Sequence, residues 1–288
     1  MKIENIINEI ESVDPEIYQR LDGRRSAMKS FAKFSGKVAI AALPIAFGSM
    51  LNKAYGSPSS PKDAITDVLN FALTLEYLES EFYKAGYAAA MGGTLAIPAG
   101  APLMAIQTIR DHEIAHVNFL KTAITSLGGT PVTFTAASFD FTAKGNFTSV
   151  FTNYSLFLAV AQTFEDTGVR AYKGQAGNLI GNHDVLTAAL NIHSVEARHA
   201  SHIRQMRSAD GGLIPAGVTV KPWITLNQSG IGSSAVQASY NGEEITSQAG
   251  VTIVNIGGFM ISANAASEAF DEPLTKDQVV AIVTPFFA

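Results

Sequence analysis

The chain carries six histidines and no cysteine, and the histidines are unevenly spread. His112 and His116 lie in RDHEIAHVNFL (110–120), while His193, His199 and His202 lie in NIHSVEARHASHI (191–203), with His183 just before them. Without thiols there is no disulfide, no thiolate zinc site and no cysteine nucleophile, so any metal must be held by His, Asp or Glu. The first window supports two chemistries. Read as H-E-x-x-H, His112 and His116 stand one helical turn apart as zinc ligands, with Glu113 as the base between them. Read as E-x-x-H, Glu113 and His116 are one contribution to a carboxylate-bridged pair of metals inside a four-helix bundle. The rest of the chain decides between them by the partners it offers.

An internal repeat offers them. LEYLESEFYKAGY places Glu76 seven residues before Tyr83, and FEDTGVRAYKG places Glu165 seven residues before Tyr172; both pairs are 89 residues apart. HEIAHVNFL and VEARHASHI then match Glu113 and His116 with Glu196 and His199, both 83 apart. Positions i and i+3 share a helix face, so the Glu and His of each pair point the same way. A tyrosine seven residues from a glutamate lies two turns along the same face, where its hydroxyl can support a carboxylate from behind. Each glutamate falls on or beside an apolar stripe, Glu76 with Leu69 and Ala72, Glu113 with Ile109 and Leu120. Buried carboxylates without partners cost several kcal/mol each. Two divalent cations would neutralise four of them, with imidazole completing the shell. Oxygen donors with imidazole favour Fe or Mn over Zn. The metal ligands expected are therefore Glu76, Glu113, His116, Glu165, Glu196 and His199, with Tyr83, Tyr172 and Glu79 behind them. Glu79 shares the Glu76 face, but its counterpart in the repeat is Gly168, which favours Glu76 as the ligand.

These residues need helices to hold them. From Ile65 to Gly86 apolar residues recur at three- and four-residue steps (Ile65, Val68, Leu69, Ala72, Leu75, Leu78, Phe82), which predicts the first helix. A second is predicted from Pro102 to Leu127, stopped by Gly128-Gly129, a third over Thr148–Lys173 and a fourth ending at Arg207. Helices of about 25 residues, roughly 38 Å long, suit a bundle. Residues 130–147 read as β-rich and turn-rich, and are long enough to cross from one end of such a bundle to the other. Beyond Asp210, 211–230 and 243–258 read as strands or extended cover, and Thr275-x-x-Gln278 is a capping box for a terminal helix.

With 47% apolar and 16% charged residues the chain has the composition of a globular domain, and a net charge of −5 gives no electrostatic case for nucleic acid. The divisions expected are an N-terminal arm over 1–56, a four-helix bundle over 57–209 and a C-terminal extension over 210–288. In the arm, Arg24-Arg25 and Lys29 precede an apolar run from Val38 to Leu51, which is too short to span a bilayer comfortably and suits the core of an export signal. This stretch resembles a twin-arginine signal, which implies an exported, periplasmic or envelope-associated protein brought near a membrane by its N-terminus. Read without that resemblance, it is an amphipathic arm that docks on the domain or on a partner, and the protein stays in the cytoplasm.

At the repeat residues the chain resembles the ferritin-like di-metal carboxylate superfamily. LNFALTLEYLESEFY, VEARHASHIR and SEAFDEPLT make it similar, more closely, to the bacterial ferritin-like-domain group that includes desiccation-related proteins. The resemblance covers about residues 60–288 and implies a mainly α fold, a four-helix bundle with a long crossover between helices two and three, plus a C-terminal β-containing appendage. It implies Glu76 and Glu165 as terminal ligands, Glu113 and Glu196 as bridging ones, and His116 and His199 holding one metal each. The chemistry implied is ferroxidase or peroxide- and dioxygen-using, in envelope stress or desiccation protection. The alternative is a structural or binding protein of the envelope on the same scaffold. The reading leaves room for a small homo-oligomer. A zinc metallopeptidase through His112, Glu113 and His116 is a remote alternative: position 122, where the extended pattern wants a third His, is Thr, and 117–139 contain no Asp or Glu. His112, His193 and His202 are expected at the bundle boundary, His183 in a loop, and Asp111 and Asp166 on solvated faces.

Overall fold

Helix α1 (Lys62–Met91) opens the part of the chain that the computed structural model describes, residues 62–288. The Arg24-Arg25 segment and the run from Val38 to Leu51 lie outside the described residues. The predicted stripe of α1 is buried at Ile65, Leu69, Ala72, Leu75, Leu78 and Phe82, and the helix ends at Gly92-Gly93, where Gly93 takes a positive φ of 77°. Helix α2 (Ala101–Ser126) begins with Pro102 in its first turn, where the missing N–H is not needed. It buries Ile106, Ile109, Glu113, His116, Val117, Leu120, Ala123 and Ile124, a single face that includes two of the candidate ligands.

Helix α3 (Tyr154–Ala176) and helix α4 (His183–Asp210) are each started by an asparagine: Asn153 accepts from the Leu156 N–H, and Asn182 from the Val185 N–H. Gly211, in the left-handed conformation, ends α4. The most extensive packing is within the pairs α1–α2 and α3–α4; α1 also meets α3, and α2 meets α4. The result is two helical hairpins joined by the long crossover 127–153, the bundle topology expected. None of the helices among the described residues is long and apolar enough to cross a membrane.

The crossover holds no strand among the described residues. It runs through turns and a short 3₁₀ turn, Ala136–Ser138, and makes one isolated bridge, Phe139 to Phe287. Its phenylalanines supply an aromatic cluster instead of a sheet face. Phe82 of α1 stacks on Phe157 with ring centroids 4.9 Å apart and meets Phe141, Phe151 and Phe164 at 5.1–5.6 Å. Positive φ at Ala143, Lys144 and Gly145 breaks any extended run there.

Helix α3 is buried on all sides from Phe157 to Tyr172. A helix in a four-helix bundle ordinarily keeps one face in water; here the C-terminal extension covers it. The only strands in that extension are β1 (Ser247–Gln248) and β2 (Val251–Thr252), an antiparallel hairpin turned by Ala249 and Gly250, both at positive φ. The expected strands of 211–230 reduce to an isolated bridge, Thr225 to Gln228. Helices α5 (Ala263–Ser267) and α6 (Lys276–Val283) follow, and the capping box of α6 is formed as predicted, with Thr275 accepting from the Gln278 N–H and Gln278 from the Thr275 N–H.

The cover is tied down by buried arginines. Arg170 of α3 pairs with Glu243 at 2.7 Å and donates to the carbonyls of Ser239, Asn241 and Glu272. Arg207 of α4 donates to Gln162 Oε1 at 2.6 Å and to the Gly230 carbonyl at 2.8 Å. Arg204 forks onto Asp166 at 2.5 and 3.0 Å, and the Tyr240 hydroxyl donates to the same carboxylate. Asp166 is therefore not on a solvated face. It is 3% exposed, because the face of α3 next to the cage is roofed by the extension.

Candidate metal centre

The four helices bring the six predicted ligands to one place. Glu76 comes from α1, Glu113 and His116 from α2, Glu165 from α3, and Glu196 and His199 from α4. All four carboxylates are 0% exposed, and the imidazoles are buried as well. One potential ligand atom from each of Glu76, Glu113, His116 and Glu196 falls within 4.8 Å of the others, and the same holds for Glu113, Glu165, Glu196 and His199. The two groups share Glu113 and Glu196.

Hydrogen bonding alone does not account for this core. His116 Nδ1 lies 3.1 Å from Glu76 Oε2, 3.1 Å from Glu196 Oε1 and 3.4 Å from Glu113 Oε2. Only the first of these is a hydrogen bond. His199 Nδ1 lies 2.9 Å from Glu113 Oε1 and 3.4 Å from Glu165 Oε2, neither in hydrogen-bond geometry. Both oxygens of Glu113, both of Glu196, Glu165 Oε2 and His199 Nδ1 are buried without a hydrogen-bond partner among the described residues. Buried polar atoms are nearly always paired. Donor atoms that crowd to about 3 Å yet avoid hydrogen-bond angles converge as ligands do on an ion between them. The oxygens pointing away from that centre are satisfied: Tyr83 donates to Glu165 Oε1 at 2.5 Å, and Tyr172 donates to Glu76 Oε1. The residues present fit divalent cations.

The family model for the ferritin-like domain matches residues 64–209, just over half of the chain and all four helices. The chain belongs to the ferritin-like domain family. No curated protein and no solved structure matches it.

The electrostatics of this ferritin-like bundle follow from crowding acids in a dry core. Burial raises Glu76 to about 7, against the pull of His116. Burial, with the neighbouring carboxylates, also raises Glu79, Glu165 and Glu196 above the usual range. Glu113 goes the other way: burial opposes its charge, but His116 and His199 flank it and hold it below the usual range. Burial also disfavours charge on His199, yet Glu165 and Glu113 outweigh that and push it up to about 11. His116 is raised in the same way by Glu76 and Glu113. The metal-free cage thus holds protons that a cation would displace.

Glu79 is buried but belongs to neither ligand group. It stands beside Glu196 across Gly168, where an added Cβ would come 3.2 Å from Glu79 Oε1 and 3.5 Å from Glu196 Oε2. The glycine in the repeat is the space that the fifth carboxylate occupies. Glu79 also lines a small cavity of about 10 Å³ with Leu75, Phe164 and Thr167, roughly one water in size.

His112 belongs to neither group, so the H-E-x-x-H histidines do not converge on a common ion. Its Nδ1 sits 3.0 Å from His199 Nε2. Half-buried His193 and exposed His202 also stand outside both groups. His183 is the exposed first residue of α4 and Asp111 an exposed partner of Arg110 at 2.6 Å. Sequence reasoning missed the crossing of the tyrosines and the Asp166–Arg204 pair. The first is hidden because periodicity along one helix cannot say which neighbouring helix a hydroxyl will reach. The second left a signal, since Arg170, Arg204 and Arg207 all fall on helices near the cage.

Proposed function

We propose that this protein holds a dinuclear metal centre, Fe or Mn in preference to Zn, and uses it on dioxygen or peroxide. The observation that carries the reading is that two four-residue ligand groups share two buried carboxylates, Glu113 and Glu196, the arrangement that lets two cations sit side by side under four negative charges. Glu76 with His116 would complete one position and Glu165 with His199 the other. Bound there, redox-active divalent ions supply the electrons for reducing dioxygen or decomposing peroxide. The chain's own residues do the rest. Tyr83 and Tyr172 fix the orientation of the outer carboxylates, Phe82 and its aromatic neighbours keep water from that end of the bundle, and the carboxylates and imidazoles of the cage give up their protons as ions enter. The paired arginines Arg24 and Arg25, followed by an apolar run, support placing the protein outside the cytoplasm.

The test is metal content together with turnover. Protein loaded with Mn²⁺, or anaerobically with Fe²⁺, is expected to bind two ions per chain and to consume dioxygen or peroxide, and Glu113→Ala to lose both properties. Equal rates in the two proteins would remove the enzymatic claim. If chelation lowers only the melting temperature, the metal serves the fold.

A further inference from the structure

The two halves of the centre are not equivalent. The 83-residue offset that carries Glu113 onto Glu196 and His116 onto His199 carries His112 onto Val195. His112 stacks on His199, with ring centroids 5.2 Å apart and planes 17° apart, and its Nδ1 is 3.0 Å from His199 Nε2. Among the described residues none plays this part for His116, whose polar contacts are made by Nδ1 toward the carboxylates.

An imidazole can bind a cation only through a ring nitrogen that carries a lone pair. The nitrogen of His199 that faces Glu113 and Glu165 is Nδ1, so a ligating His199 must keep its single proton on Nε2. That proton points at His112. We propose that His112 is a positioning residue for one metal position only: by accepting the Nε2–H of His199 through its own Nδ1, it holds His199 in the tautomer that presents a lone pair to the cage. The reverse arrangement, with His112 Nδ1–H donating to His199 Nε2, would put the His199 proton on the wrong nitrogen. Because His112 is exposed, its remaining N–H meets water, and the accepting tautomer leaves no buried group unsatisfied. Once an ion displaces the Nδ1 proton, the position built from Glu113, Glu165, Glu196 and His199 is thereby prepared to keep that ion. The position built from Glu76, Glu113, Glu196 and His116 is not. The two ions should bind in separate steps, the prepared position first.

This rests on the dinuclear reading above, and calorimetric titration of the metal-free full chain with Mn²⁺ separates the two claims. The wild type is expected to take up two ions in resolved steps. His112→Ala should weaken the tighter step by about 10–100-fold, the usual effect of removing a partner behind a ligand, and leave the other within about threefold. His112→Asn, whose side-chain oxygen can stand in for Nδ1 as acceptor, should recover most of the loss; a purely structural role would not separate Ala from Asn. If His112→Ala leaves both steps unchanged, or weakens both equally, the positioning role is wrong while the dinuclear centre stands. A wild type that binds no Mn²⁺, or one ion, overturns the dinuclear reading and this inference with it.

Discussion

Tyr83 on α1 donates to Glu165 on α3 at 2.5 Å, not to Glu76 seven residues earlier on its own helix. Tyr172 on α3 donates back to Glu76 on α1. The two tyrosines are exchanged across the bundle, so each outer carboxylate is oriented by the opposite hairpin. Tyr83→Phe and Tyr172→Phe should each lower metal affinity about 10–100-fold and cost about 1.5–3 kcal/mol of stability. The near-twofold repeat predicts similar losses for the two, measurable by metal titration and thermal melting. A variant with unchanged metal binding would remove the orienting role of that hydroxyl.

Sharing of ligands predicts an asymmetry between carboxylates. Glu113 and Glu196 serve both groups, whereas Glu76 and Glu165 serve one each. Glu113→Gln or Glu196→Gln should therefore abolish uptake of both ions, and Glu76→Gln or Glu165→Gln should leave one. Elemental analysis after dialysis reads this directly. Identical stoichiometry in all four variants would contradict the shared-ligand geometry.

The metal-free protein should become less stable as pH rises. A glutamate with an ordinary value of 4.5 that titrates at about 7 when folded, as Glu76 does, binds protons more tightly in the folded chain. Its contribution is complete below 4.5 and lost as pH climbs through about 7, on the order of 3 kcal/mol. Glu79, Glu165 and Glu196 are shifted in the same direction, and His199, raised to about 11, continues the loss above its ordinary 6.5. Among the cage carboxylates Glu113 runs oppositely, with a contribution present above 4.5 and lost in acid, and His112 and half-buried His193, both lowered by burial, oppose the fall only weakly. Melting in chelator between about pH 5.5 and 8 should show a falling transition temperature, and the gain from added Mn²⁺ should grow over the same range as the ion displaces protons. A metal-free transition that rises with pH would refute the shifts.

The roof over α3 should matter as much as the cage. Asp166 accepts two hydrogen bonds from Arg204 and one from Tyr240, all buried. Asp166→Ala strands a buried guanidinium and should cost about 3–5 kcal/mol. At Gly174 an added Cβ would lie 1.9 Å from the Leu274 carbonyl oxygen, a backbone atom, so Gly174→Ala must push the segment before α6 off α3, at about 1–3 kcal/mol. Denaturant unfolding would measure both. Wild-type stability in either would mean that the extension is not packed as described.

The cage was legible because the chemistry is written twice. Glu-x-x-His occurs once on α2 and once on α4, at a common offset, and that repetition selected Glu113, His116, Glu196 and His199 from among the other acids and histidines. Glu76 over Glu79 followed from Gly168. Helix positions were also readable, although α1 runs on to Met91, past Gly86, and α3 starts at Tyr154 instead of Thr148. The extension was harder. Its β-branched runs resemble strands, but a strand needs a partner edge, and these segments meet helix α3 and arginine side chains instead. Asp166 was misread for the same reason: a residue one position from a buried ligand faces about a quarter-turn away, and nothing in α3 itself tells whether water or later chain lies there.

The dependence of α3 on residues far downstream also sets an order of events during synthesis. Ser239, Glu243, Glu272, Leu274 and Phe286 all touch this helix, so every cage residue from Glu76 to His199 is synthesised well before one side of α3 can be closed. Until residues 239–286 have emerged, that side of α3 has no cover.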